Sequence, residues 1–278
     1  MDRNRLLKAH VELRAYVLAQ EDWHPNYRTS PKAFRMLTRA EALIQSNVRE
    51  YLRGLRGRIG KLIDWNEVYR RMSMGDVTVT ITDASWETET QMLFQALLDP
   101  ITAATVAGSM VAQANLGIDV GFGAGNATVL RAARERTASL IKGLNSTTKD
   151  QISQAIQHGL AQHEDIQQIT DRVAEFVDSE RRAETIARTE AVRAATQGQL
   201  LLGGEIGTQF KVWEDGQPGE CELCMSIRPK RIPLAEPFND GSDGPPRHPG
   251  CKCGMSLDFA TPEEAASLAD GTWEPPEV

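Results

Sequence analysis

Apolar residues recur at helical spacing through most of the chain before residue 203, and the pattern changes character after it. Leu6, Leu7, Val11, Leu13, Val17 and Leu18 predict a helix over residues 2–20. The stretch EDWHPNYRTSP, with two prolines, interrupts it. Ser30 before Pro31 then opens a second helix, because Ser caps well and Pro suits a first helical turn. Phe34, Leu37, Leu43, Ile44, Val48, Tyr51 and Leu55 mark its buried stripe to about residue 63, with Gly54, Gly57 and Gly60 weakening the last turns toward a bend or boundary. A short helix over 65–72 follows, and the alternation VTVTI at 77–81 predicts a strand or extended connector. From Trp86 to Leu116 the spacing is helical again, with Pro100 expected to kink or break it. Ala103, Ala104, Ala107, Gly108 and Ala112 form a small-residue face suited to close packing.

The glycines of GIDVGFGAGN, residues 117–126, match no phosphate-binding spacing and predict a flexible turn. Asn126 is expected to cap a helix through Ile141, and Thr147 with Asp150 reads as a capping box for a separate helix over 149–158, ended by Gly159. Helices over 164–177 and 180–202 come next, the latter closed by Gly203 and Gly204. Phe210, Val212 and Trp213 then predict a strand, and Met255 and Leu257 a returning one, with a short helix over 262–268 behind them. The tail DGTWEPPEV is expected to be disordered unless a partner binds it, with Trp273 its one adhesive residue.

All four cysteines fall between those two strands, as C-x-x-C at Cys221 and Cys224 and C-x-C at Cys251 and Cys253, with His248 just before the second pair. Two short knuckles of soft ligands are what a tetrahedral zinc site requires. The intervening segment carries six prolines, Pro229, Pro233, Pro237, Pro245, Pro246 and Pro249, and little apolar material, so a structural metal would supply the free energy its own packing lacks. Five candidates compete for four places. Cys221, Cys224 and Cys251 come first, and His248 and Cys253 contest the last, since two thiolates one residue apart strain a single tetrahedron. The H-P-G turn favours His248 slightly. The pairs are tight and no apolar leader precedes them in the chain, which favours metal over two disulfides.

Charge is unevenly spread. Residues 1–71 hold fifteen Lys and Arg against eight Asp and Glu, while the chain as a whole carries −7. A basic segment on an acidic body can contact nucleic acid or an acidic protein surface, although a solvated helix face accounts for it equally simply. The most apolar run, residues 101–112, is too short to span a membrane and no membrane partner is expected. No H-E-x-x-H or G-x-S-x-G occurs, and His158 and His163 read as polar residues at helix ends. The densest charged stretch, ERRAETIARTEAVRAATQGQ at 180–199, offers Glu184 to Arg188 and Glu190 to Arg193 as helical pairs and reads as a salt-linked structural helix.

Residues 126–258 resemble the minor head, or head-morphogenesis, proteins of tailed bacteriophages related to the Mu F protein. The phrase TIARTEAVRAATQGQ, the Trp213 strand and the closing RHPGCKC carry the resemblance, two separated motifs in the same order. The resemblance implies a non-enzymatic virion component at the portal or inner capsid, with portal protein or major capsid protein as partners and a role in head assembly or in DNA packaging and delivery. The fold expected is mainly α: long helices in an elongated body with a small C-terminal zinc-bound β-ribbon. The expected regions are 1–125, helical and docking; 126–206, the helical head-morphogenesis core; 207–259, the zinc module; and 260–278, an acidic tail. Two other readings stand beside it. One is a zinc-containing nuclease using His248, the other a nucleic-acid-binding module using residues 1–71, where packaged DNA is the expected ligand.

Overall fold

Ser30 starts the first described helix as its sequence predicts, its Oγ accepting from Ala33 N at 3.3 Å. A computed structural model describes residues 23–72, 74, 83–123, 125–162, 164–177, 180–215 and 222–275. The helix expected over 2–20, the extended stretch at 77–81, His163 and Cys221 lie outside these residues. Helix α1 spans Pro31–Leu62 without interruption at its glycines. The bend expected there does not end the helix. Gly54 instead makes room: a Cβ at that position would meet Arg58 Nη1 at 2.8 Å. The guanidinium it admits pairs with Glu89 through Nε and Nη2, each at 2.7 Å. Helix α2 spans Trp65–Met72.

Helix α3, Asp83–Leu116, continues through Pro100, so the predicted break is overturned. The compensation is distant in sequence. A proline nitrogen cannot donate to the carbonyl four residues earlier, and that carbonyl, Ala96 O, receives Asn47 Nδ2 at 2.6 Å instead. Asn47→Ala is therefore expected to lower stability by about 1–3 kcal/mol, the usual loss when a buried acceptor is orphaned. Urea unfolding of both proteins measures it; an unchanged midpoint would show that water serves the carbonyl equally well.

Asn126 caps α4 as expected, accepting from Thr128 N at 2.8 Å, but α4 runs unbroken over Ala127–Ala161. Two helices were predicted there, and the reason for one is local. The hydroxyls of Thr147 and Thr148 donate back to the carbonyls of Gly143 and Leu144 at 2.9 and 2.6 Å, so they sit inside a helix instead of capping a new one. Gly159 likewise lies within α4, where a Cβ would come 2.6 Å from Ile169 Cγ1 of helix α5, Ile166–Val177. Asp165 and Gln168 cap α5 reciprocally, at 2.8 Å in each direction. Helix α6, Glu180–Ile206, passes Gly203 and Gly204 and ends at Gly207, whose φ is +72°. Its predicted closure is thus four residues early.

Strands β1 (Phe210–Glu214), β2 (Arg231–Pro233) and β3 (Gly254–Asp258) form an antiparallel sheet in the order β2-β1-β3, with Val212 opposite Ser256 and Lys211 opposite Ile232. The predicted ribbon thus gains a third strand. A short helix α7, Glu222–Met225, lies between β1 and β2, and α8, Pro262–Asp270, follows β3 behind a Thr261–Glu264 capping box. The segment after α8 is tied to its own chain. Trp273 packs on Phe210 with ring centroids 4.9 Å apart. Arg231 covers the same ring at 3.6 Å and pairs with Asp258 and Glu264 at 2.9 and 2.6 Å. The expectation that this tail waits for a partner to order it is corrected as far as residue 275.

The chain divides into two compact units. One holds the described parts of Met1–Ala42, Pro100–Ala133 and Arg188–Val278, the other those of Leu43–Asp99 and Arg134–Ala187. The first unit buries Val106, Phe122, Val129, Leu202, Met255 and Leu257 together. The second buries Ile44, Val48, Leu52, Leu93, Ile152 and Val173 among others. Among the described residues no helix is long and apolar enough to cross a membrane.

Candidate metal centre

The first unit carries the predicted ligands. The turn of α7 points Cys224 inward, 2 % exposed, and leaves Leu223 and Met225 outward. On the other side, the backbone from Cys251 to Cys253 is extended into β3. Residues two apart in an extended chain face the same way, so Cys251 and Cys253, each 1 % exposed, enter the same pocket with Lys252 directed out. Cys253, which contests the last place with His248, thus lies beside Cys251 in the cluster. Cys224 Sγ lies 3.6 Å from Cys251 Sγ, and the three sulfurs are all within 4.8 Å of one another. None of the three is joined in a disulfide.

His248 approaches from the rim. Its Nε2 lies 3.2 Å from Cys224 Sγ, outside the group of mutually close sulfurs. Its Nδ1 is 2.9 Å from the Pro249 carbonyl, which accepts a proton from that nitrogen and leaves the Nε2 lone pair facing the sulfurs. Arg247 holds the turn in place. It donates to Ser226 Oγ at 2.9 Å and to the Leu223 carbonyl, and pairs with Asp240 at 3.1 Å. Trp213, Ile227, Ile232 and Phe238 close over the thiols, with the two aromatic rings edge to face at 5.2 Å. A hydrogen bond from Cys253 pulls the Cys251 thiol down to about 5, while that interaction and burial push Cys253 up. A metal ion would take these sulfurs as thiolates.

This donor set suits an ion. With metal–sulfur bonds of about 2.3 Å, a tetrahedron has S···S edges of about 3.8 Å and, with an imidazole nitrogen, S···N edges of about 3.6 Å. The observed 3.6 and 3.2 Å lie close to both. Soft thiolate donors select zinc, copper(I) or iron over hard cations. The Cys224, Cys251 and Cys253 cluster can hold a metal ion.

The IARTE stretch reaches the same place. Thr189 Oγ1 accepts from Gly250 N at 3.3 Å, joining α6 to the H-P-G-C turn. Arg188 pairs with Glu41 at 2.9 Å and lies 4.5 Å over the Trp23 ring, whose Nε1 donates to Glu41 at 2.9 Å. The expected partner of Arg188 was Glu184; the predicted Glu190–Arg193 pair does form, at 3.2 Å. The two sequence motifs are one structural feature.

A family model described as phage Mu protein F like protein matches residues 146–256. Over that span the chain is similar to the Mu F-like family. No curated protein and no solved structure matches the chain. The Mu F-like span begins inside α4, takes in α5, α6 and the sheet to Ser256, and includes every predicted ligand. It is a family of phage head proteins, and the likeness covers that span of the chain.

Outside the Mu F-like span, sequence reasoning missed a support. The stretch around Pro25 reads as a helix breaker, yet Tyr27 of the turn Pro25–Arg28 is buried against Thr196, Cys251 and Cys253, and burial pushes its phenol pKa up. His24 packs on Gly254 so closely that a Cβ there would meet its Nδ1 at 2.8 Å. Two aromatic residues and a histidine clustered around Pro25 were the available signal, since such a segment is rarely only a spacer. His158 lies in the last turn of α4, as read from sequence.

Proposed function

We propose that this protein is a structural minor head protein of a tailed-phage virion, bound at the portal or the inner capsid and acting in head assembly or in DNA packaging and delivery. We infer further that a structural zinc ion, held by Cys224, His248, Cys251 and Cys253, closes its C-terminal module, with Cys221 the alternative to His248. The reading rests most on the Thr189–Gly250 contact, which joins the two Mu F-like motifs at the edge of the thiol cluster. Four protein donors leave no position for water, so the ion's contribution is to cross-link the fold and not to activate a nucleophile. Helices with small-residue faces suit a component that docks on a larger assembly.

Heads purified from cells carrying the phage genes are expected to contain the wild-type protein and to lack the Cys224→Ser variant. Purified protein is expected to leave DNA intact with magnesium, manganese or zinc. Heads that form normally and package DNA without the protein would overturn the assembly role. DNA cleavage abolished by His248→Ala would replace it with a nuclease.

A further inference from the structure

A cleft of about 500 Å³ opens within the second unit, between the first half of α3 and the middle of α4. Trp86, Phe94 and Ile141 form its apolar floor, and Lys142 and Lys149 stand on its α4 side. Asn145 Nδ2 bridges to Thr90 Oγ1 at 2.8 Å. No acidic side chain occurs among the described residues that line it. Lys149 Nζ lies 5.5 Å over the Trp86 ring. Trp86 itself is 4 % exposed, and its indole N–H is buried without an acceptor. The cleft therefore combines apolar surface with two ammonium groups, a set that suits carboxylate oxygen beside an apolar group.

We propose that this cleft docks an acidic segment of a partner protein, seating one apolar side chain on Phe94 and Ile141 with carboxylates toward Lys142 and Lys149. Charge complementarity selects that occupant, since opposite charge around an apolar anchor is how protein interfaces gain specificity. Nucleic acid fits less well. The Trp86 face is capped by Lys149, so no base can stack on it. The cleft is open along one side, which suits a chain more than an enclosed small molecule. The inference is independent of the metal site, because every lining residue lies in the other unit.

Fluorescence anisotropy of the full-length protein tests it, with a labelled peptide of about twelve residues mixing Glu with Leu and one Phe, and a second peptide with Lys for Glu. The acidic peptide is expected to bind the wild type and to lose at least about tenfold in affinity to Lys142→Glu, an exposed site whose change is expected to leave the fold intact. The lysine peptide is expected to prefer the Lys142→Glu, Lys149→Glu double variant. Phe94→Ser should weaken both. Equal binding of the acidic peptide to wild type and Lys142→Glu overturns the proposal, as does no binding at about 1 mM. An oligothymidylate or dodecanoate that binds in a Lys142-dependent way where the peptide does not reassigns the cleft to nucleic acid or to an amphiphile. Self-association abolished by Lys142→Glu reassigns it to a second copy. Peptide binding that survives chelation of bound metal separates this result from the fate of the zinc reading.

Discussion

Cys251→Ser is expected to abolish metal binding and to unfold the module from Thr208 to Trp273. The module contains one small apolar cluster, Trp213, Ile227, Ile232 and Phe238, around the thiols. Burying each such side chain contributes roughly 1.5–3 kcal/mol, whereas ordering each residue of the long loop between the strands costs about 1–2 kcal/mol of backbone entropy. Among its described residues the loop has only the four residues of α7 and the three of β2 to repeat a backbone pattern. A structural zinc ion supplies about 10–16 kcal/mol in small sites, which reverses the balance. Elemental analysis should find one zinc per wild-type chain and none in the variant. Hydrogen exchange should show lost protection in β1, β2 and β3, with α1 and α5 unchanged. His248→Ala and Cys221→Ser then divide the ligand question: loss of zinc in the first alone supports the imidazole, loss in the second alone the other thiol. Wild-type protein free of zinc, or a serine variant with native protection in β3, would remove the metal from the account.

The clustering of Cys224, Cys251 and Cys253 was legible because metal chemistry is written in spacing, and the helices because burial repeats every three to four residues. What was not legible depends on partners remote in the chain. Nothing near Pro100 announces that Asn47 will serve the carbonyl it leaves bare. Nothing near Trp273 announces Phe210. At Thr147 the local signal was ambiguous in itself, since the same hydroxyl that caps a helix start can bond back to a carbonyl four residues earlier. The slight preference for His248 over Cys253 rested on the strain expected of two thiolates one residue apart, and the fold brings Cys253 into the same cluster as Cys224 and Cys251. The joining of IARTE to the H-P-G turn needs the fold, because 61 residues separate Thr189 from Gly250.

Gly108→Ala and Gly198→Ala are each expected to destabilise the first unit by more than about 3 kcal/mol, beyond the usual range for an inserted methyl group. The small-residue face of α3 was expected to permit close packing, and α6 is what it meets. A Cβ at Gly108 would lie 1.9 Å from the Ala195 carbonyl oxygen, and one at Gly198 would lie 1.8 Å from that of Thr105. Carbon and oxygen come no closer than about 3.3 Å even in weak C–H···O contacts, so the two backbones would have to part by more than an ångström. No side-chain rotation relieves a clash with a carbonyl. The damage would also travel, because Gln199 beside Gly198 donates from Nε2 to the Met255 carbonyl at 3.0 Å and so ties the crossing to β3. Gly57→Ala provides the contrast. It too is a helical glycine, but no atom lies within 4 Å of its Cβ position, so the same change should stabilise by about 0.5–1 kcal/mol through helix propensity alone. Thermal unfolding of the three variants reads the difference directly. Similar midpoints for Gly108→Ala and Gly57→Ala would mean that α3 and α6 do not cross at this distance, and the scaffold that carries the thiol cluster would have to be redrawn.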